Sequence, residues 1–177
     1  MNILFNKVRD VKNPERAYGT ADAVDFFVPN YSAEFYNDLV NKGQNNQYCT
    51  FSVSPNCDSM SITIAPNGRV NIPSGIRVII GDEDTCLLAV NKSGVAANKG
   101  LVVSACLIDH DYQGEIHLGV INSSDTPVTI KTGDKLMQFM HLPIIHSHLQ
   151  EISTEDFYKL APDSKRKSGG FGSSGTN

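Results

Sequence analysis

The sequence predicts an all-β domain with the architecture of a sandwich or a barrel-like jelly roll. Short apolar segments follow one another, and turn residues separate them. Within Met60–Ile64, apolar and polar side chains alternate with the period of a half-buried strand, and Pro66-Asn67-Gly68 is a strong turn signal directly behind it. Further apolar segments predict strands at 75–80, 86–90, 101–108, 115–121, 128–130 and 135–142.

Two stretches have the pattern of short helices. Ser32 could cap a helix that runs to Gly43 with apolar side chains on one face. Ser153 or Thr154 could begin a second helix that continues through Leu160. Both helices are expected to be additions at the surface of the β core.

Size and composition suit one globular domain. The 177 residues are enough for one hydrophobic core and too few for two large domains. The net charge of −4 argues against a protein that coats nucleic acid. Apolar runs fall short of the ~20 residues of a membrane helix. We therefore expect neither nucleic acid nor a membrane among the partners.

The four cysteines are widely spaced and form no CxxC pair. The apolar stretch at the start of the chain is too short for a secretory signal. These features predict reduced thiols and a cytoplasmic location, or the host cytoplasm for a viral protein.

The segment from Ser104 to Asn122 contains two apolar runs around a polar turn with Asp109 and Tyr112. One interpretation is a β-hairpin whose polar residues only serve the turn. The other places a carboxylate at a strand end, aimed into a cleft, with the aromatic ring as a platform for a flat ligand. The residues alone leave both interpretations open.

Three other segments could bind phosphate. Lys92, Ser93 and Gly94 combine a cation, a hydroxyl and backbone amides beside glycine, although an ordinary loop explains them too. Gly133–Gln138 is a turn that leads into a strand. The tail 164–177 has the composition of a flexible linker, yet a linker has no use for the lone Phe171 between glycines.

Taken in order, five segments resemble the five motifs of trimeric dUTPases. Thr20–Phe27 resembles the first motif, Asn91–Gly100 the second, Leu107–Gly114 the third, Gly133–Gln138 the fourth and Arg166–Gly175 the fifth. The third and fifth are specific, and the shared order and spacing strengthen the resemblance.

The resemblance implies a jelly-roll-like dUTPase fold, a threefold homotrimer whose sites draw on all three subunits, and hydrolysis of dUTP to dUMP and pyrophosphate. This reaction limits uracil incorporation into DNA and supplies dUMP for dTMP synthesis. The β domain would span 1–163, followed by a flexible glycine-rich lid at 164–177. Residues 29 to about 59 look like an insertion, which could be a surface for a regulatory protein partner.

The resemblance also implies a role for each site residue. Asp109 would be the general base that activates water, and Tyr112 would lie against the deoxyribose and leave no space for a 2′-hydroxyl. The phosphate chain would be bound by Lys92, Ser93, Gly94 and Gln138. Arg166 would clamp the terminal phosphates, and Phe171, with Gly172 and Ser173, would close over the nucleotide. The substrate phosphates would hold Mg²⁺, and Asp25 would reach it through a bound water.

Three positions depart from the family pattern. Asn91-Lys92 replaces the usual Pro-Arg, so a point charge takes the place of a bidentate contact. Asp22-Ala23 replaces Ala-Gly in the first motif, and Lys167 replaces the glycine after Arg166.

Other functions remain to be weighed. A dCTP deaminase shares the fold, but it needs a glutamate on the strand after the hairpin, where this chain has Gly119; Glu115 lies four residues earlier. A non-catalytic binding protein on the same trimer is a second alternative. A metal site from His141, His146 and His148 is a third, although exposed histidines on an alternating strand explain them as well.

Overall fold

The computed structural model describes residues 3–44 and 46–164. The chain divides into two compact units, Met1–Ile145 and His146–Asn177. The strands of the first unit are β1 (Ile3–Lys7), β2 (Glu15–Arg16), β3 (Ala23–Phe27), β4 (Cys49–Val53), β5 (Met60–Ile64), β6 (Arg69–Pro73), β7 (Ile76–Ile80), β8 (Thr85–Asn91), β9 (Leu101–Val103), β10 (Leu107–Ile108), β11 (His117–Asn122), β12 (Val128–Lys131) and β13 (Lys135–Pro143). Its helices are α1 (Ala33–Asn41) and α2 (Ser93–Lys99), and the second unit contains α3 (Thr154–Leu160).

The strands form antiparallel sheets, which confirms the all-β prediction. The largest sheet has the order β10-β8-β13-β3-β2, and the others are β6-β11-β9, β12-β5-β4 and β1-β7. Alternate side chains of the strands point into one hydrophobic core, as the burial of Ile62 and Ile64 on β5 illustrates. In the described parts of the chain, no helix is long and apolar enough to cross a membrane.

Both predicted helices are present, but α1 is more than a surface addition. Its cap is Ser32, whose hydroxyl oxygen accepts a hydrogen bond from the Phe35 amide at 3.1 Å. Phe35 and Leu39 are fully buried, so α1 packs into the core of the first unit. In the second unit, Ser153 caps α3 and accepts from the Asp156 amide at 3.1 Å.

The structure differs from the prediction at two places that matter for the site. The predicted strand 101–108 is broken into β9 and β10, because the chain leaves its partner β11 and joins β8 instead. Ser104 still donates its amide to the Gly119 carbonyl at 3.0 Å, whereas the Cys106 carbonyl already accepts from the Ala89 amide at 2.7 Å. The second difference is α2, a helix where a loop was expected; it ends at Gly100 in the left-handed conformation.

Candidate active site

Three of the predicted segments meet at one edge of the largest sheet. β8, β13 and β3 are neighbours, and Gln138 on β13 lies opposite both Asp25 on β3 and Val90 on β8. Lys92 follows the end of β8, so its side chain reaches across this edge. We call Asp25, Lys92, Ser93 and Gln138 the cation edge. Residues from three distant segments of the sequence therefore lie together at one end of these strands.

The electrostatic centre of the cation edge is the buried carboxylate of Asp25, which is 1% exposed. The Lys92 ammonium donates to both of its oxygens, at 2.9 Å and 3.0 Å. The Lys135 ammonium lies 3.1 Å from Oδ2 and 3.1 Å from a carboxylate oxygen of Glu15. A buried carboxylate is stable only when it is paired, and these two ammonium groups provide the pairing.

Lys135 is a second cationic partner of Asp25 that the sequence reasoning missed. Its hydrogen bonds to Asp25 and then to Glu15 raise its pKa, so the side chain stays charged far into the alkaline range. The available signal was a cation at the start of the apolar strand 135–142, within the segment Gly133–Gln138.

The start of α2 is open to solvent beside the cation edge. Ser93 and Gly94 are exposed, and a Cβ atom added at Gly94 would meet no atom within 4 Å. The Gln138 amide lies 3.4 Å from the Asn91 carbonyl, just before Lys92. The Ser93 hydroxyl and the Gln138 amide can thus face a ligand on this side of the sheet.

The predicted hairpin is paired only at its base, where β9 meets β11; β10 pairs with β8 instead, and a tight turn closes the tip between them. The Asp109 carbonyl accepts from the Tyr112 amide at 3.2 Å, and the Tyr112 hydroxyl donates to the Glu115 carbonyl at 3.0 Å. A Cβ atom at Gly114 would come within 2.4 Å of the Tyr112 hydroxyl oxygen, so a larger residue here would displace the ring. The backbone of Asp109 closes the turn, while its side chain is exposed to solvent. A role in the turn is therefore compatible with a carboxylate that faces a ligand.

The hairpin borders a mainly apolar cavity of about 490 Å³, a size that suits a small organic ligand. Its lining comes from β1, β7 and the tip of the hairpin: Leu4, Phe5, Asn6, Arg77, Val78, Ile79, His110, Asp111, Tyr112 and Gln113.

Asp109 and the cation edge lie at opposite ends of β8 in one chain. Ile108 pairs with Leu87 in antiparallel register, so Asp109, the next residue, lies beside Cys86. At about 3.3 Å per residue, the stretch from Cys86 to Lys92 spans roughly 20 Å. A general base must lie within hydrogen-bond reach of the water it activates. Within one chain, Asp109 and the cation edge are therefore too far apart to contact the same small group.

A side chain at Gly119, which a deaminase needs, would have to displace its neighbours. It is buried on β11, and an added Cβ atom would lie 2.6 Å from the Ser104 hydroxyl oxygen and 3.3 Å from the Asn71 Oδ1. A glutamate at this position would push these groups apart. The sequence argument against deaminase chemistry thus gains a steric reason.

The remaining predicted residues divide into two groups. Arg166, Phe171, Gly172 and Ser173 lie outside the described residues. Among the histidines, His141 Nε2 is 2.8 Å from the Thr85 hydroxyl oxygen. Within residues 3–44 and 46–164, no group of three His, Cys, Asp or Glu side chains could hold a metal ion.

The chain is similar to known proteins in sequence and in fold. The family model described as dUTPase matches residues 57–175. The deoxyuridine 5′-triphosphate nucleotidohydrolase of Pseudomonas putida is 33% identical over 116 residues, which cover 64% of this chain and 73% of that protein.

Among solved structures, the dUTPase of Staphylococcus bacteriophage 80alpha with dUpNHpp aligns over 99% of both chains, with a TM-score of 0.68 and 18% identity. It is described as one of the phage dUTPases that control transfer of virulence genes. A dUTPase of phage phi11 of S. aureus, described with a structural Mg(II) ion, covers 89% of this chain and 100% of its own, with a TM-score of 0.62 and 18% identity. At such low identity these two matches show a shared fold. Because the family model covers most of the chain, the chain belongs to the dUTPase family.

Proposed function

We propose that this chain hydrolyses dUTP to dUMP and pyrophosphate, with attack of water on the α-phosphorus. The observation that carries the proposal is the gathering of Asp25, Lys92, Ser93 and Gln138 at one edge of the sheet, in a member of the dUTPase family. The proposed setting is the cytoplasm of the cell or of a viral host. Control of dUTP there would limit uracil in DNA and supply dUMP.

Asp109 is the proposed general base. It stands exposed at the end of β10, where its carboxylate can accept a proton from the attacking water. Tyr112 forms a wall against the deoxyribose because its hydroxyl is tied to the Glu115 carbonyl and its ring cannot swing freely. A 2′-hydroxyl would collide with this wall, so the proposed enzyme should reject UTP. The backbone of 104–115 reads the edge of uracil and rejects the amino group of cytosine.

Lys92 is the proposed mobile cation for the phosphate chain. Its side chain is 28% exposed, so the ammonium can turn from Asp25 toward a phosphate oxygen, while Ser93, Gly94 and Gln138 bind other oxygens. Lys135 keeps Asp25 paired when Lys92 leaves. A lysine acts as a point charge and tolerates this exchange better than a bidentate arginine would.

A homotrimer is the proposed active assembly. Because Asp109 and the cation edge of one chain lie roughly 20 Å apart along β8, Asp109 of one copy must serve the cation edge of another. Closed threefold symmetry gives every copy the same pair of neighbours. The tail 164–177 is the proposed lid, with Arg166 on the terminal phosphates and Phe171 over the uracil, assisted by Gly172 and Ser173.

Mg²⁺ is the proposed metal, brought in on the triphosphate. Both oxygens of Asp25 are engaged by lysines, so this carboxylate can face a water of the metal only after Lys92 has moved to the phosphates. The donor set thus suits a cation held mainly by substrate oxygens. When bound, Mg²⁺ would neutralise charge on the phosphates.

A regulatory protein remains a proposed partner for residues 29–59. Phe35 and Leu39 of α1 face the core, which leaves its exposed side, including Glu34, for such a partner. The phage neighbours and their described control of gene transfer support this proposal. Nucleic acid and membranes are not among the proposed partners.

The test of the proposed reaction measures pyrophosphate release from dUTP, dCTP, UTP and dTTP in the presence of Mg²⁺. We expect release from dUTP alone at a substantial rate. Ammonia release from dCTP would replace the proposal with a deaminase. Tight binding of dUTP without turnover would favour a non-catalytic binding protein.

A further inference from the structure

Arg9 ties down the base of the hairpin. Its Nε lies 2.8 Å from Glu115 Oε1 and its Nη2 lies 3.1 Å from Glu115 Oε2, which is a bidentate pair. The two side chains are only 12% and 13% exposed, so water screens the pair weakly. The Glu115 carbonyl accepts the hydrogen bond from the Tyr112 hydroxyl. Arg9 thus acts on Tyr112 through one intervening residue.

The same guanidinium reaches α1. Arg9 Nη2 donates to Asp38 Oδ2, and the guanidinium carbon lies 5.7 Å from the centre of the buried Phe35 ring. The hydrogen bond with Glu115 is the main cause of a raised pKa for Arg9, and the bond with Asp38 adds to it. The guanidinium therefore links α1 to the hairpin with a permanent charge.

The backbone below the carboxylate is fixed as well. The Gly75 amide donates to Glu115 Oε1 at 2.7 Å. Gly75 has a φ of +75°, and a Cβ atom there would lie 2.9 Å from Val11 Cγ1 and 3.0 Å from the Arg9 Cβ. Only glycine meets both requirements, so Glu115 is held by Arg9 on one side and by a rigid turn on the other.

We infer that Arg9 and Glu115 are positioning residues for discrimination between deoxyribose and ribose, and that α1 supports them through Asp38. The bonds of the Glu115 side chain fix the position of the Glu115 carbonyl, which accepts a hydrogen bond from the Tyr112 hydroxyl. The Tyr112 ring in turn forms the wall against a 2′-hydroxyl. If the Arg9–Glu115 pair is broken, the Tyr112 ring becomes more mobile and no longer excludes a 2′-hydroxyl. The inference rests on the proposed function for the role of Tyr112, and it gives α1 a role inside the enzyme.

The experiment compares Arg9→Met, Glu115→Gln and Asp38→Asn with the wild-type protein, with Glu34→Gln as a matched control. Glu34 is exposed on the same helix, so its substitution removes a charge without touching the hairpin. For each protein, kcat and KM are measured with dUTP and with UTP. Hydrogen exchange of amides 109–117 is measured without nucleotide.

For Arg9→Met and Glu115→Gln we expect the preference for dUTP over UTP to fall by about tenfold or more, because small misplacements of a contact surface have large kinetic effects. Most of the change should come from a higher KM for dUTP and a better reaction with UTP, with kcat for dUTP falling by less than the preference, since the Asp109 carboxylate itself is retained. Asp38→Asn should show a smaller change in the same direction. Exchange at 109–117 should rise in all three variants and not in Glu34→Gln.

An unchanged preference for dUTP over UTP in Arg9→Met and Glu115→Gln would overturn the inference. This holds even if hydrogen exchange rises, because the Arg9–Glu115 pair would then have a structural role only. A wild-type preference in Asp38→Asn would remove α1 from the mechanism. If Arg9→Met does not fold, Arg9→Lys keeps the charge, loses the bidentate geometry and is judged by the same ratio. A wild-type protein that leaves dUTP intact would refute the proposed function instead, and the exchange data alone would then decide whether Arg9 holds the hairpin.

Discussion

If the active site is shared between copies, two inactive variants should rescue one another in a mixture. The first variant is Asp109→Asn, which lacks the general base. The second is the double variant Ser93→Ala with Gln138→Ala, which lacks two groups of the cation edge. Both changes lie at exposed or half-buried positions, so neither should unfold the chain.

The size of the rescue follows from the separation of Asp109 and the cation edge along β8. A site takes Asp109 from one copy and the cation edge from another, so each contribution is intact with a probability of one half in an equal, random mixture. About one quarter of the sites should then be complete, and the mixture should show about 25% of the wild-type rate. If both contributions came from one chain, the mixture would be as inactive as its components.

The assay requires exchange of subunits. The two variants are unfolded together in urea, refolded by dilution and assayed for pyrophosphate release from dUTP, and the same treatment of each variant alone is the control. Light scattering or sedimentation checks that the mixture has the same mass as the wild-type assembly. A mixture that stays at the level of the separate variants, although trimeric and folded, would refute the shared site.

Three further predictions concern single residues. Asp109→Asn alone should lower kcat by at least ~10² with an unchanged circular dichroism spectrum, and near-normal turnover would remove Asp109 from the mechanism. Gly119→Glu should lower the free energy of unfolding by about 1–3 kcal/mol or more in urea titrations, because of the clash with Ser104; an equally stable variant would mean that β11 can shift. The pKa of Lys135 is raised above its ordinary value of 10.5, so its stabilising contribution is present at lower pH and is lost as the pH rises through the folded-state pKa. Above pH 10.5, the ordinary pKa of lysine, wild-type protein should therefore lose more stability than Lys135→Met in urea titrations, and parallel losses would argue against the pairing with Asp25.

Local features of the structure could be predicted from the sequence. The alternation in Met60–Ile64 depends only on neighbouring residues, and so does the cap at Ser32, where a hydroxyl meets an amide three residues later. The turn at Asp109 to Gly114 is local in the same sense. These elements appear where the pattern put them.

Contacts that depend on register between distant strands could not be predicted. Lys92 and Asp25 are 67 residues apart and Arg9 and Glu115 are 106 apart, so both pairs exist only because particular sheets align them. The resemblance to the dUTPase motifs gave the candidate residues of the cation edge, whereas the pairing of Lys135 with Asp25 required the three-dimensional arrangement. The helix α2 was missed because Ser93–Lys99 buries no side chain and so carries no apolar stripe.

The length of β8 has a consequence for how the enzyme responds to dilution. A free subunit would contain Asp109 and the residues of the cation edge, but the two could not contact the same nucleotide. Catalysis would then follow the concentration of assembled protein by mass action, and specific activity would fall once subunits separate. Because the seven residues of β8 separate the two parts of the site, the turnover rate would report the fraction of assembled protein.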